Sequence, residues 1–146
     1  LKAVQFIAKT ERTIPIAFVS TNSITQGQQV ALLWPLLLEK SPCKQSIGFA
    51  HRTFEWSSEA KGKAHVHCTI VGLWPKTDMP KRRVLFDYPD IKGQPEIIDA
   101  DVISPYLFES SGLANPEMVV PKSTKAPAQM PKTLYGNKPA DGGNLI

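Results

Sequence analysis

The chain has 146 residues, 42% of them hydrophobic and 21% charged, with a formal net charge of +4. That is one domain's worth of globular chain, long enough to bury roughly 68–70% of its unfolded surface, so composition excludes wholesale disorder and any need for a metal or disulfide staple. Two cysteines, Cys43 and Cys68, cannot make a disulfide framework, and neither a secretory signal nor an apolar run near the roughly 20 residues of a membrane span is present. The sequence therefore reads as cytoplasmic, with no membrane partner.

Leu1, Val4 and Ile7, with Ala3, Phe6 and Ala8, set out an amphipathic helix that fades near Lys9-Thr10-Glu11-Arg12. The pattern is already in mid-course at the first residue, and the chain closes on Ile146 straight after Gly142-Gly143-Asn144, so it reads as a piece of a longer polypeptide. Ile14-Pro15-Ile16-Ala17-Phe18-Val19 is a continuous apolar run of the kind a strand buried on both faces requires, with Pro15 confined to its first residues. A polar loop, Ser20 to Gly27, leads into a second helix over Gln28 to Lys40, where Val30, Leu33, Trp34 and Leu37 recur at helical spacing and Pro35 predicts a kink or an early stop. Helix, buried strand, polar loop and helix in this order predict an α/β fold of the doubly wound type. Ile47 to Trp56 and Ala64 to Leu73 are strand-like runs joined by only Ser57 to Lys63, a link too short for a parallel crossover, so they are expected to pair antiparallel. Arg83 to Tyr88 and Glu96 to Ile98 predict short strands around a turn at Asp90-Ile91-Lys92-Gly93. From Ser104 onward the chain carries six of its thirteen prolines without periodicity and reads as a linker or extended arm.

Charge is placed unevenly. Arg52, Lys61, Lys63, Lys76, Lys81, Arg82 and Arg83 stand against Glu55, Glu59 and Asp78 in residues 51–83, a density that suits phosphate contacts if the side chains share a face and a solvated surface if they do not. His65 and His67, two apart on a predicted strand, project to one side as a metal-binding pair would. Cys68 faces the other way and His51 lies on another strand, so no third ligand is at hand and no metal is expected. Phe54 and Trp56, also two apart, sit at a strand end beside the basic link, where aromatic rings either pack in a core or stack an unpaired base. The loop Ser20 to Gly27 follows the carboxyl end of a strand, the usual ligand position in open α/β sheets. No Ser-His-Asp elbow, phosphate loop or Gly-x-Gly-x-x-Gly occurs.

The stretches AFVSTNSITQGQQVALLWPLL (17–37), FAHRTFEWSSEAKGKAHVHCTIVG (49–72), LFDYPDIKG (85–93) and LYGNKPADGGNLI (134–146), taken in order, resemble the large bifunctional MmeI-like restriction-modification proteins, which are DNA adenine methyltransferases. The resemblance implies the C-terminal half of a Rossmann-like, S-adenosylmethionine-dependent methyltransferase sheet, with Ile14 to Val19 as a central strand and the two later runs as an antiparallel pair. It divides the chain into 1–103, the distal part of the methyltransferase domain, and 104–146, an extended proline-rich arm leading into a target recognition domain. The implied reaction moves a methyl group to the exocyclic amino group of a flipped adenine in double-stranded DNA. Neither the family's Asn-Pro-Pro-Tyr/Phe motif nor its glycine-containing cofactor loop occurs here, so no catalytic residue is carried over and the chain alone is expected to be inactive. The segment Arg52 to Val66 resembles the block that lines the target-base pocket. Phe54 or Trp56 is then the stacking residue, with Asn22, Ser23 and Gln26 bordering the pocket and Arg52, Lys61 and Lys63 reaching DNA phosphates. Expected partners are DNA, the rest of the parent polypeptide and a second copy of the chain. A nucleic-acid-binding or assembly module without chemistry is the alternative.

Overall fold

The computed structural model describes residues 2–10, 12–57 and 65–121. Val4 and Ile7 recur at helical spacing and are both buried, so α1 (Lys2–Thr10) forms on them and closes where the Thr10 hydroxyl donates to the Ile7 carbonyl at 2.9 Å. After β1 (Ile16–Thr21) and a 3-10 turn (Asn22–Thr25) comes α2 (Gly27–Leu38), which buries Val30, Trp34, Leu37 and Leu38. Pro35 does not break α2 at once. The helix runs on to Leu38, and the Pro35 carbonyl accepts the Glu39 and Lys40 amides just past its end. Then follow β2 (Gln45–Ser57), β3 (His65–Pro75), β4 (Arg83–Asp87) and β5 (Glu96–Ala100).

The five strands form one sheet in the order β1-β3-β2-β4-β5. As the short link requires, β2 and β3 pair antiparallel, and β4 and β5 form the second antiparallel pair. Since β3 is antiparallel to β1 as well, and β2 is parallel to β4, the strands β1, β2 and β4 share a direction and bring their carboxyl ends to one edge. One face of the sheet, carrying Ile47, Ala50, Val71, Leu73 and Leu85, joins Val4 and the apolar stripe of α2 in the core.

The other face is aromatic, and two irregularities of β2 create it. Ile47 pairs with Leu73 but Phe49 pairs with Gly72, so Gly48 is an extra residue that switches Phe49 to the face opposite Ile47. Phe49 lies over Gly72 and Trp74 over Gly48, and a methyl group at either glycine would overlap those rings. The second irregularity sets Arg52 and Thr53 against Thr69 alone, since His51 pairs with Ile70 and Phe54 with Cys68. Three residues apart, His51 and Phe54 thereby share a face, which a regular pleat forbids. The fully buried Thr69 hydroxyl donates to the His51 carbonyl at this bulge.

Two expectations change. β1, expected to be central and buried on both faces, is the outermost strand among the described residues, with Phe18 49% and Val19 57% exposed. Its apolar run asks for cover on both faces and pairing on both edges, whereas only β3 pairs with it. The stretch from Ser104 does not begin as an extended arm. Ile103, Ser104, Pro105, Leu107 and Ser110 are buried, and the Ser110 amide returns to the Val102 carbonyl at 3.0 Å. Further on, the Tyr106 hydroxyl accepts the Val120 amide at 3.0 Å, and the Glu117 carboxylate binds Lys76 and the Ser46 hydroxyl. Apolar residues at 103, 105 and 107 make this packing worthwhile in a segment whose prolines suggested only extension.

Candidate functional site

The sheet edge where β1, β2 and β4 end collects most of the residues singled out from the sequence. Thr21, Cys68 and Phe54 form one register row across β1, β3 and β2, so the turn that starts at Asn22 begins two strand spacings, about 10 Å, from Phe54 on β2. The turn is held from inside. The Trp34 indole donates to the Ile24 carbonyl at 2.7 Å, the Thr25 hydroxyl to the Asn22 carbonyl at 2.8 Å, and the Gln26 amide to the Ser23 carbonyl at 3.2 Å. Ser23 shares its hydroxyl with Thr21 at 2.8 Å, and the exposed Gln26 side chain makes no cap on α2. Gly27, at φ +57°, takes a left-handed conformation suited to glycine where the chain turns into α2.

On β2, Phe54 and Trp56 lie with ring centroids 6.3 Å apart, Phe54 half-buried and Trp56 52% exposed. Phe54 is packed by Tyr88, 5.3 Å away at 30°, and by the edge of His51 at 6.3 Å. His51 in turn stacks on Phe86 at 4.1 Å and 6°, and its Nδ1 is 2.8 Å from the Tyr88 hydroxyl. Burial lowers the His51 pKa below its ordinary value and raises that of the Tyr88 phenol, so both are neutral near pH 7.

The turn after β4 is sewn onto this strand end at several points. Arg52 meets the Asp87 carboxylate at 3.1 Å, and the same oxygen accepts the Tyr88 amide at 3.0 Å. The Glu55 amide donates to the Ile91 carbonyl at 2.8 Å, and Lys92 lies 3.6 Å from the Glu55 carboxylate. The turn itself closes with the Gly93 amide on the Asp90 carbonyl at 2.9 Å.

The basic residues of 51–83 do not share a face as one patch. Arg52 is at the site edge, while Lys76 and Arg82 lie beyond the opposite ends of their strands, paired with Glu117 and Asp99. Lys61 and Lys63 lie outside the described residues. His67 is exposed beside Glu55, and the His65 side chain is likewise outside the described set. Among the described residues no group of three or more His, Cys, Asp or Glu could hold a metal ion. Nor is any helix there long and apolar enough to cross a membrane.

The sequence model of the MmeI DNA-methyltransferase domain matches residues 1–87. The chain belongs to the MmeI DNA-methyltransferase family. DNA methyltransferase A of Bacillus subtilis (strain 168) is 37% identical over 131 residues, 90% of this chain and 13% of that protein. A solved structure of the Type IIL restriction-modification enzyme MmeI in complex with DNA is 43% identical, covers 98% of this chain and 18% of its own, and superimposes with a TM-score of 0.82. The chain thus spans less than a fifth of either relative.

Within this MmeI-family chain, Phe54, Trp56, Arg52 and the Asn22 to Gln26 turn, all singled out from the sequence, lie along this edge, and His51, Asp87 and Tyr88, which pack against them, were not singled out for it. Tyr88 was visible in the block LFDYPDIKG as the residue closing a strand; its approach to Phe54 depends on the Arg52-Thr53 bulge, which alternation does not announce.

Proposed function

We propose that this chain is the distal part of the methyltransferase domain of a restriction-modification enzyme that transfers a methyl group from S-adenosylmethionine to the exocyclic amino group of adenine in DNA. The reading rests on one observation above the others: 98% of the chain superimposes, at 43% identity, on a restriction-modification enzyme solved with DNA. The strand order β1-β3-β2, with β3 antiparallel between two parallel strands, supports a Rossmann-like methyltransferase sheet to which a parent polypeptide adds further strands at β1. Residues 1–103 then belong to that domain and 104–146 lead toward target recognition.

S-adenosylmethionine would supply the methyl group in the parent. The described residues do not make a cradle for it: Gly27 opens α2 with nothing within 4 Å of where a side chain would start, and no glycine-containing loop precedes another helix among the described residues. The work of this chain is to hold the base and the DNA. A flipped adenine needs a flat apolar platform and polar groups around its edge. Trp56, half-exposed at the strand end, offers the platform, and Phe54 beneath it is held by Tyr88 and His51. Asn22, Ser23 and Gln26 border the same edge, and Arg52, Lys61 and Lys63 serve the phosphates. The free thiols of Cys43 and Cys68 suit a reducing cytoplasm.

In the full-length enzyme, Trp56→Ala should cut methylation of DNA by about fivefold to a hundredfold, because base stacking contributes about 1–3 kcal/mol. Unchanged methylation in both Trp56→Ala and Phe54→Ala removes the base-pocket assignment. Methyl transfer by the 146-residue chain alone would refute the division of labour proposed here. A binding module without chemistry finds less support, since Lys76 and Arg82 are engaged by carboxylates.

A further inference from the structure

We infer that Tyr88, held through its hydroxyl by His51, is a positioning residue for the target-base platform: it fixes the Phe54 ring, and through it Trp56, at the carboxyl end of β2. The inference rests on the base-pocket reading above. It adds a residue just beyond the stretch 1–87 that the family's domain model matches.

A ring at the last turn of a strand has solvent on one side and little to stop it from rotating. Trp56 is such a ring, and its only ring neighbour among the described residues is Phe54. Whether Trp56 presents a fixed face to a base therefore depends on what fixes Phe54. Tyr88 supplies that constraint with its ring, 5.3 Å from Phe54, while its hydroxyl is tied to His51 Nδ1 at 2.8 Å. His51 cannot swing to follow, because it lies flat on Phe86 at 4.1 Å. The chain of contacts runs from β4 through Phe86, His51 and Tyr88 to Phe54 and Trp56. The backbone of the turn is fixed separately, by Arg52 on Asp87 and by the Glu55 amide on the Ile91 carbonyl. Loss of the hydroxyl should therefore loosen the rings and leave the turn in place. With His51 in its neutral Nε2–H tautomer the Tyr88 hydroxyl donates a hydrogen bond to Nδ1, and the neutrality of both groups suits a bond with no net charge.

The decisive variant is Tyr88→Phe in the full-length enzyme, which keeps the ring and removes the bond. A loosened platform lowers the rate of methyl transfer without weakening the phosphate contacts that dominate DNA affinity. The expected result is a fall in kcat of about three- to tenfold with KM for DNA within about twofold of the unmodified enzyme. DNA carrying 2-aminopurine at the target position should show altered fluorescence in the complex with the variant. His51→Phe, which keeps a flat ring on Phe86 and loses the same bond, should match it, and the double variant should be no worse than either single one. Unchanged kcat and 2-aminopurine signal in Tyr88→Phe overturn the inference, as does a double variant whose loss is the product of the two. If Trp56→Ala and Phe54→Ala both methylate normally, the base-pocket reading falls and takes this inference with it. If Trp56→Ala loses methylation while Tyr88→Phe does not, the pocket stands and the positioning role alone is refuted.

Discussion

Thr69 shows how one hydroxyl can hold a site it never touches. Its side chain is fully buried and donates to the His51 carbonyl at the bulge that puts His51 and Phe54 on one face. Thr69→Val keeps the shape and strands that carbonyl, so it should lower stability by about 1–3 kcal/mol in chemical denaturation. A change below about 0.5 kcal/mol would mean that the carbonyl finds another donor. His51 adds a pH dependence. Desolvation holds its pKa below 6.5, so as pH falls past 6.5 the unfolded chain takes up a proton that the folded chain still refuses. The unfolded state then binds more protons, and stability present above 6.5 is lost on acidification through the folded value. Urea midpoints should fall from about pH 7 to about pH 5 in the unmodified protein and fall less in His51→Phe. Equal slopes would assign the loss to other groups.

At the scale of elements, β2 is the least regular strand and the most consequential. Its first bulge needs Gly48, and the strand beside it needs Gly72, because Trp74 and Phe49 lie directly over these two backbones. Gly72→Ala must push the Phe49 ring off its place on the sheet, and overpacking of this kind costs about 1–3 kcal/mol. Thermal unfolding should register the loss; a Tm equal to that of the unmodified protein would show that Phe49 swings aside freely. This strand also marks where the sequence stopped being legible. The helical spacing of Val4 and Ile7, and of Val30, Trp34 and Leu37, announces α1 and α2 because buried apolar residues must recur at that period. The seven-residue link between two strand-like runs announces their antiparallel pairing because nothing else is geometrically open. A bulge leaves no such trace. Nothing at Arg52 and Thr53 marks it in the sequence, yet the one extra residue they place opposite Thr69 decides that His51, Phe54 and Tyr88 meet. Burial of Ile103, Pro105 and Leu107 escaped for a related reason, since a proline among them reads as a turn or an extended arm.

For the whole molecule the exposed boundary is β1, the outermost strand among the described residues. Its apolar run was legible as a strand, but not its position, because such a run reads as one paired on both edges, whereas among the described residues only β3 pairs with it. The outer edge of β1, unpaired among the described residues beside the half-exposed Phe18 and Val19, forms a template for another strand. Along this edge, Phe18, Leu33, Trp34 and Val71 line an open apolar cleft of about 280 Å³. The 146-residue chain on its own should therefore self-associate as its concentration rises, measured by sedimentation velocity. Val19→Lys should suppress that association with little loss of stability, since a charge on an exposed edge strand blocks pairing and costs the monomer almost nothing. In the full-length parent the sign reverses. If a further strand pairs with β1 there, the substitution carries an ammonium group into a sheet interior, where an unpaired charge is strongly destabilising, and the variant should lose several degrees of Tm. A monomeric chain at every concentration would sink the first expectation. A parent indifferent to Val19→Lys would place β1 at an outer edge there too, and with it would fall the proposal that the sheet continues beyond this strand.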